Sequence, residues 1–162
     1  MSPPLSLPAH LRLRPASWRL FWSLELPAKA FTPWWCLLHD RMGHRSWLNR
    51  IVPDKVPSPL CALCGVDAED LYHFVVGCPL KADYWRDVVF LLSLQDLLPS
   101  SLAIWTALTS FCSLDMVELD DDALVALGAG FATLWTYHWR SVIDAEPWIP
   151  SAVFNMVQHD HH

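Results

Sequence analysis

From residue 17 onward the apolar residues recur at helical rather than alternating spacing, and prolines and glycines divide the pattern into segments. In the first segment Trp18, Phe21, Trp22 and Leu26 fall on a common face, Ser17 stands where a capping hydroxyl is wanted, and Pro27 closes the element. The next helix is predicted over 28–40, with Phe31, Trp34, Trp35 and Leu38 apolar. A proline inside a helix removes a hydrogen bond and clashes one turn back, so Pro33 argues for a start at Thr32, with the proline in the first turn. Gly43 makes the break, a short helix over 44–51 carries Trp47 and Leu48, and residues 52–60, with three prolines, form a linker.

The second half reads the same way. Cys78 is placed to cap a helix whose first residue is Pro79, with Leu80, Tyr84, Val88 and Leu91 as its inward stripe and Lys81, Asp83 and Asp87 outward. A buried helix is predicted within 97–111, after Pro99, with Trp105 and Leu108 inward. Asp120, Asp121 and Asp122 are consecutive and cannot share a helix face, so they suit the negatively charged start of a long helix over 123–143 better than a divalent-metal site. That helix puts Leu124, Leu127, Phe131, Leu134 and His138 on one side, bordered by Trp135 and Trp139. Ser151 caps a last short helix reaching 157. The fold class is therefore mostly α, with little or no β.

Composition changes this picture in three respects. Apolar residues make up 53% of the chain and charged ones 17%, with ten tryptophans, which excludes disorder over most of the length. The uncharged runs 97–114 and 123–139 approach membrane-spanning length, but Pro99, Gly128, Gly130 and His138 interrupt them, and both read as buried helices. The net charge of −6 is unevenly spread: residues 1–55 carry eight Lys/Arg against three Asp/Glu, giving +5, and residues 56–162 carry three against fourteen, giving −11. A polyanion would have to meet the first third. Five cysteines, an odd number, and prolines where an export signal needs an apolar core point to a reducing, intracellular setting, cytoplasmic or nuclear.

The chemistry concentrates in residues 61–78, CALCGVDAEDLYHFVVGC. Cys61 and Cys64 are two residues apart, His73 follows, and Cys78 lies five positions on. Three thiols and an imidazole make a complete tetrahedral set for one structural Zn2+, with no position open for a catalytic water. The same cysteines admit other readings: a CxxC redox pair, a disulfide, or buried free thiols. Redox chemistry wants the CxxC to open a helix in a strand-rich setting, whereas here an acidic loop follows. Cys36 and Cys112 read as core residues, and the tail His159, Asp160, His161, His162 as a frayed terminus. No serine elbow, phosphate loop or paired-carboxylate signature is present, and no small-molecule substrate is implied.

The stretch from Trp18 to about Val89 resembles the zinc-binding domain found downstream of the polymerase in non-LTR retrotransposon reverse transcriptases. The matching features run in order: Trp18 and Trp22, Pro27 and Lys29, Trp35, Leu38, His39 and Arg41, then Leu48, Cys61-x-x-Cys64, Glu69-Asp70-Leu71-Tyr72-His73-Phe74, Cys78-Pro79 and Trp85. The resemblance implies a non-catalytic accessory module. It divides the chain into a Pro-rich lead (1–16), the zinc-binding domain (17–95) and a C-terminal helical extension packed on it (96–162). Polymerase, endonuclease and ribonuclease H motifs are not found. Around Gly43, His39, Arg41, His44, Arg45, Trp47 and Arg50 cluster; Arg41, His44, Arg45, Trp47 and Arg50 are the candidate contacts to RNA or single-stranded DNA, through phosphates and a stacking indole. The alternative is an architectural or protein-interaction domain, partnered by a reverse transcriptase or another protein.

Overall fold

A computed structural model describes residues 13–148. Six α-helices and one π-helical turn make up the described chain: α1 (Pro15–Ser23), α2 (Ala28–Leu38), α3 (Arg45–Ile51), the π-turn (His73–Gly77), α4 (Pro79–Leu91), α5 (Ser101–Ser110) and α6 (Asp121–Ile143). Among the described residues there is no sheet, only two isolated antiparallel bridges, Leu60 with Ala68 and Cys112 with Glu118. The predicted last helix over 151–157 and the histidine tail lie outside the described residues, as does most of the Pro-rich lead.

The core is one cluster to which all helices except α3 contribute buried apolar residues. Helix α6 is its spine. Asp120 caps it by accepting from the Ala123 amide at 2.8 Å, and Asp121 and Asp122 complement the positive pole of its first turn. Leu124, Leu127, Phe131, Leu134 and His138 all face inward, as the period predicts. Helix α5 begins two residues after Pro99, with the Ser100 hydroxyl as cap, and buries Trp105 and Leu108.

Several local expectations are corrected. Helix α1 starts at Pro15 rather than at a Ser17 cap, because proline's fixed φ already suits the first helical position. It ends at Ser23, and Leu24 and Leu26 enter the core from the extended link that follows. Helix α2 begins at Ala28 and keeps Pro33 in its interior. A proline there costs on the order of 3 kcal/mol; the burial of Trp34, Leu37 and Leu38 on the same helix offsets it. Of the paired aromatics only one of each goes inside. Phe21 and Trp34 are fully buried, whereas Trp22 is 58% and Trp35 38% exposed. The turn after α2 is made by Asp40, at φ 52°, not by Gly43. Lys81, expected outward on α4, is completely buried, and Trp85 joins Tyr84 and Val88 on the inner face.

The tightest packing is between α2 and α6. The indole Nε1 of Trp34 donates to the Leu108 carbonyl of α5 at 2.8 Å, which fixes the ring. A Cβ on Gly128 would lie 2.7 Å from Leu26 Cδ2 and 2.8 Å from Trp34 Cζ3, so only a residue without one allows the helices to approach this closely. Gly128→Ala gains about 1 kcal/mol of helix propensity but overpacks a ring that cannot move, at a cost of up to about 3 kcal/mol. Equilibrium urea unfolding is expected to show a net loss of about 2 kcal/mol. Gly43→Ala, whose new carbon would meet nothing nearer than 3.8 Å, is expected to leave the midpoint unchanged.

Candidate metal centre

One short loop and one distorted turn bring the four candidate ligands together. The Leu60–Ala68 bridge closes a narrow loop, reinforced by the Cys61 amide on the Asp67 carbonyl at 2.8 Å and the Glu69 amide on the Pro59 carbonyl at 2.9 Å. Within it the chain reverses after Cys64 through Gly65, at φ 68°, where a side chain would be strained. The Leu63 amide points at Cys61 Sγ at 3.4 Å. The carboxylate of Asp70 then accepts from the His73 amide at 2.7 Å and starts the turn that presents the imidazole.

That turn is π-helical. The Cys78 amide donates to the His73 carbonyl at 3.1 Å, five residues back. The wide register delivers His73 and Cys78 to one point and leaves carbonyls without their usual partners. The residue that would serve the Phe74 carbonyl in the same register is Pro79, which has no N–H. Lys81 Nζ takes that carbonyl at 2.6 Å, and Trp85 Nε1 takes the Val75 carbonyl at 2.8 Å. Helix α4 is thus fastened to the turn by two side chains on its inner face.

The ligand atoms of Cys61, Cys64, His73 and Cys78 all lie within 4.8 Å of one another, and Cys64 Sγ is 3.4 Å from His73 Nε2. With metal–sulfur bonds of about 2.3 Å, the edges of a tetrahedron are about 3.8 Å. The cluster fits a single ion. Its electrostatics favour a cation: burial pushes the His73 imidazole down, yet hydrogen bonds and charge from Cys61 and Cys64 outweigh it and leave its pKa raised. Cys78 is held below the usual thiol range, first by its hydrogen bond with Cys61 and against the pull of burial, with the Leu80 and Lys81 amides helping. Cys61 is correspondingly pushed up to about 12 by that same bond and by burial.

The residues singled out around Gly43 separate into two groups. Arg41, Trp47 and Arg50 are exposed. His44 is buried, and its Nδ1 accepts from the Trp47 amide at 3.2 Å; it caps α3, with its pKa lowered by burial, and does not offer its ring to a ligand. Arg45 is half-buried, with its Nε enclosed. Sequence reasoning missed the work of the acidic pair. Glu69 caps α3 by accepting from the Arg45 amide at 2.9 Å, as Asp70 caps the His73 turn. For Asp70 the signal available was its place three residues before His73, where an aspartate caps a turn; for Glu69, which reaches a helix 24 residues away in sequence, there was none.

The fold and the site define a class, a helical protein built around a closed three-cysteine, one-histidine centre. Residues 9–85, just under half of the chain, match the family model described as zinc-binding in reverse transcriptase, which supports a reverse transcriptase zinc-binding domain there. Comparisons with curated proteins and with solved structures gave no match. That family is a zinc-binding and not a catalytic one, and together with the three-cysteine, one-histidine cluster it supports one structural Zn2+. Among the described residues no helix is long and apolar enough to cross a membrane.

Metal analysis of the purified chain is expected to return one zinc per molecule. Cys64→Ser is expected to lose it together with cooperative thermal unfolding, since a site of this kind supplies on the order of 10 kcal/mol. A variant that unfolds as sharply as the parent without zinc would contradict a structural role.

Proposed function

We propose that Cys61, Cys64, His73 and Cys78 are the zinc ligands of a non-catalytic accessory module of a retrotransposon-type reverse transcriptase, and that the module contacts RNA or single-stranded DNA through its basic first third. The observation that carries the nucleic-acid reading is on α3: Trp47, 43% exposed, and Arg50, also exposed, stand three residues apart on one helical face. Arg41 adds exposed positive charge in the turn before it. Among the described residues neither Arg41 nor Arg50 has a carboxylate partner. An indole offers a sequence-tolerant stacking surface and the guanidinium groups offer phosphate contacts. The four ligands leave the metal no open position for hydrolysis.

In anisotropy titrations with a labelled single-stranded oligonucleotide, affinity is expected to fall steeply with salt. Arg41→Gln and Arg50→Gln are each expected to flatten the log–log slope by about one. Trp47→Ala is expected to weaken binding by about 1–3 kcal/mol at constant slope. No binding at low salt would eliminate this reading.

A second reading, a protein-interaction module, is favoured by apolar side chains exposed on the acidic part of the chain. Leu114, Met116 and Val117 crowd the turn between α5 and α6, and Phe90 is 73% exposed at the end of α4.

A further inference from the structure

The centre imposes a charge problem that its four ligands do not solve. Zn2+ with three thiolates and a neutral imidazole carries a net charge of minus one, and a buried uncompensated charge is costly. The nearest structural answer is Lys81, three residues beyond Cys78 and wholly enclosed. Its Nζ donates to the Phe74 carbonyl at 2.6 Å and lies 2.8 Å from His138 Nδ1, with the Phe74 ring 4.2 Å away as a cation–π partner. Among the described residues no carboxylate forms an ion pair with Lys81. Glu69, the buried acid that acts on it through space, is engaged with the Arg45 amide, and the Arg45 guanidinium is itself partly enclosed.

Around the centre Glu69 and Arg45 offset one another, the half-buried Asp70 is spent on the His73 amide, and among the described residues Lys81 is the one wholly buried cation, opposite in sign to three thiolates holding Zn2+. An ammonium is otherwise among the least suitable groups to bury, and a methionine would fill the same space without charge. Helix α6 holds it in place: His138, 1% exposed and pressed at 3.9 Å against the Phe74 ring, is the acceptor opposite the carbonyl.

We propose that Lys81 is the counter-ion of the zinc–thiolate centre and, through His138, the link by which metal binding holds helix α6 to the zinc-binding segment. Lys81 is a positioning residue in this role, since it touches no metal ligand through its charged end. The inference rests on the zinc assignment.

The test uses the full chain with cobalt(II) as a spectroscopic probe and zinc affinity measured by competition with a chromophoric chelator. Lys81→Met is expected to weaken zinc about ten- to a hundredfold. It is also expected to move the thiolate-to-cobalt charge-transfer band to longer wavelength, because removing a nearby positive charge raises the sulfur electrons; a packing defect alone would not do this. His138→Leu is expected to weaken zinc severalfold, and the double variant to bind no more weakly than Lys81→Met. If Lys81→Met does not yield folded protein, His138→Leu carries the test, and unchanged affinity there overturns the link. Zinc affinity within twofold of the parent and an unshifted band in Lys81→Met overturn the counter-ion role. A parent chain that shows no cobalt–thiolate spectrum overturns the centre itself, and the two failures are thereby distinct.

Discussion

Four ligand atoms from a loop and a single distorted turn must meet within one ion's coordination radius, and the backbone around them is arranged to allow it. His73 and Cys78 are five residues apart, a spacing that an α-helical register would rotate away from a common point. The π-turn corrects this and leaves the Phe74 and Val75 carbonyls for Lys81 and Trp85 to satisfy. Helix α4 is therefore tied to the metal loop by hydrogen bonds that exist only because the loop has this unusual register. The ligand-bearing turn and the helix after it are thus joined through side chains as well as through the chain.

Around that unit the fold is held by close aromatic packing. Trp34 bridges α2 to α5 through its indole N–H and lies against Gly128 of α6, while Tyr84 of α4 donates to the Gly130 carbonyl at 2.6 Å. Gly128 thus seats Trp34 against the spine helix, and Gly130 leaves room there for Trp85 and Val88 of α4. Trp34, Tyr84 and Trp85, all fully buried, each find a carbonyl acceptor, which makes this part of the aromatic interior specific as well as apolar.

The remaining aromatics have a different character. Trp22 stacks on Phe31 with ring centroids 5.8 Å apart, and His39 lies between Trp18 at 4.9 Å and Trp35 at 4.2 Å, all on the outer side of α1 and α2. Trp18, Trp22 and Phe31 are anchored beneath by edge contacts with the buried Phe21. Together with the exposed Trp47 they give the basic third of the chain an aromatic surface as well as a positive one, the combination on which the nucleic-acid reading depends.

The helical class, the positions of α3, α4 and α6 and the inner face of α6 were legible in the sequence, because helical period and caps such as Asp120 are local properties of the chain. The clustering of Cys61, Cys64, His73 and Cys78 was legible because thiol and imidazole chemistry at short spacing has few competing explanations. Tertiary structure decided what local pattern leaves degenerate. Two adjacent tryptophans in α2 have equal hydrophobicity, and only the gap at Gly128 selects Trp34 over Trp35 for the interior. His44 became a cap instead of a surface contact because the Trp47 amide needed an acceptor in a buried corner. Lys81 could be placed inside only once its partners were known: side-chain type alone sends a lysine to solvent, and it is the orphan carbonyl, His138 and the anionic centre, brought together from three parts of the chain, that make its burial tolerable.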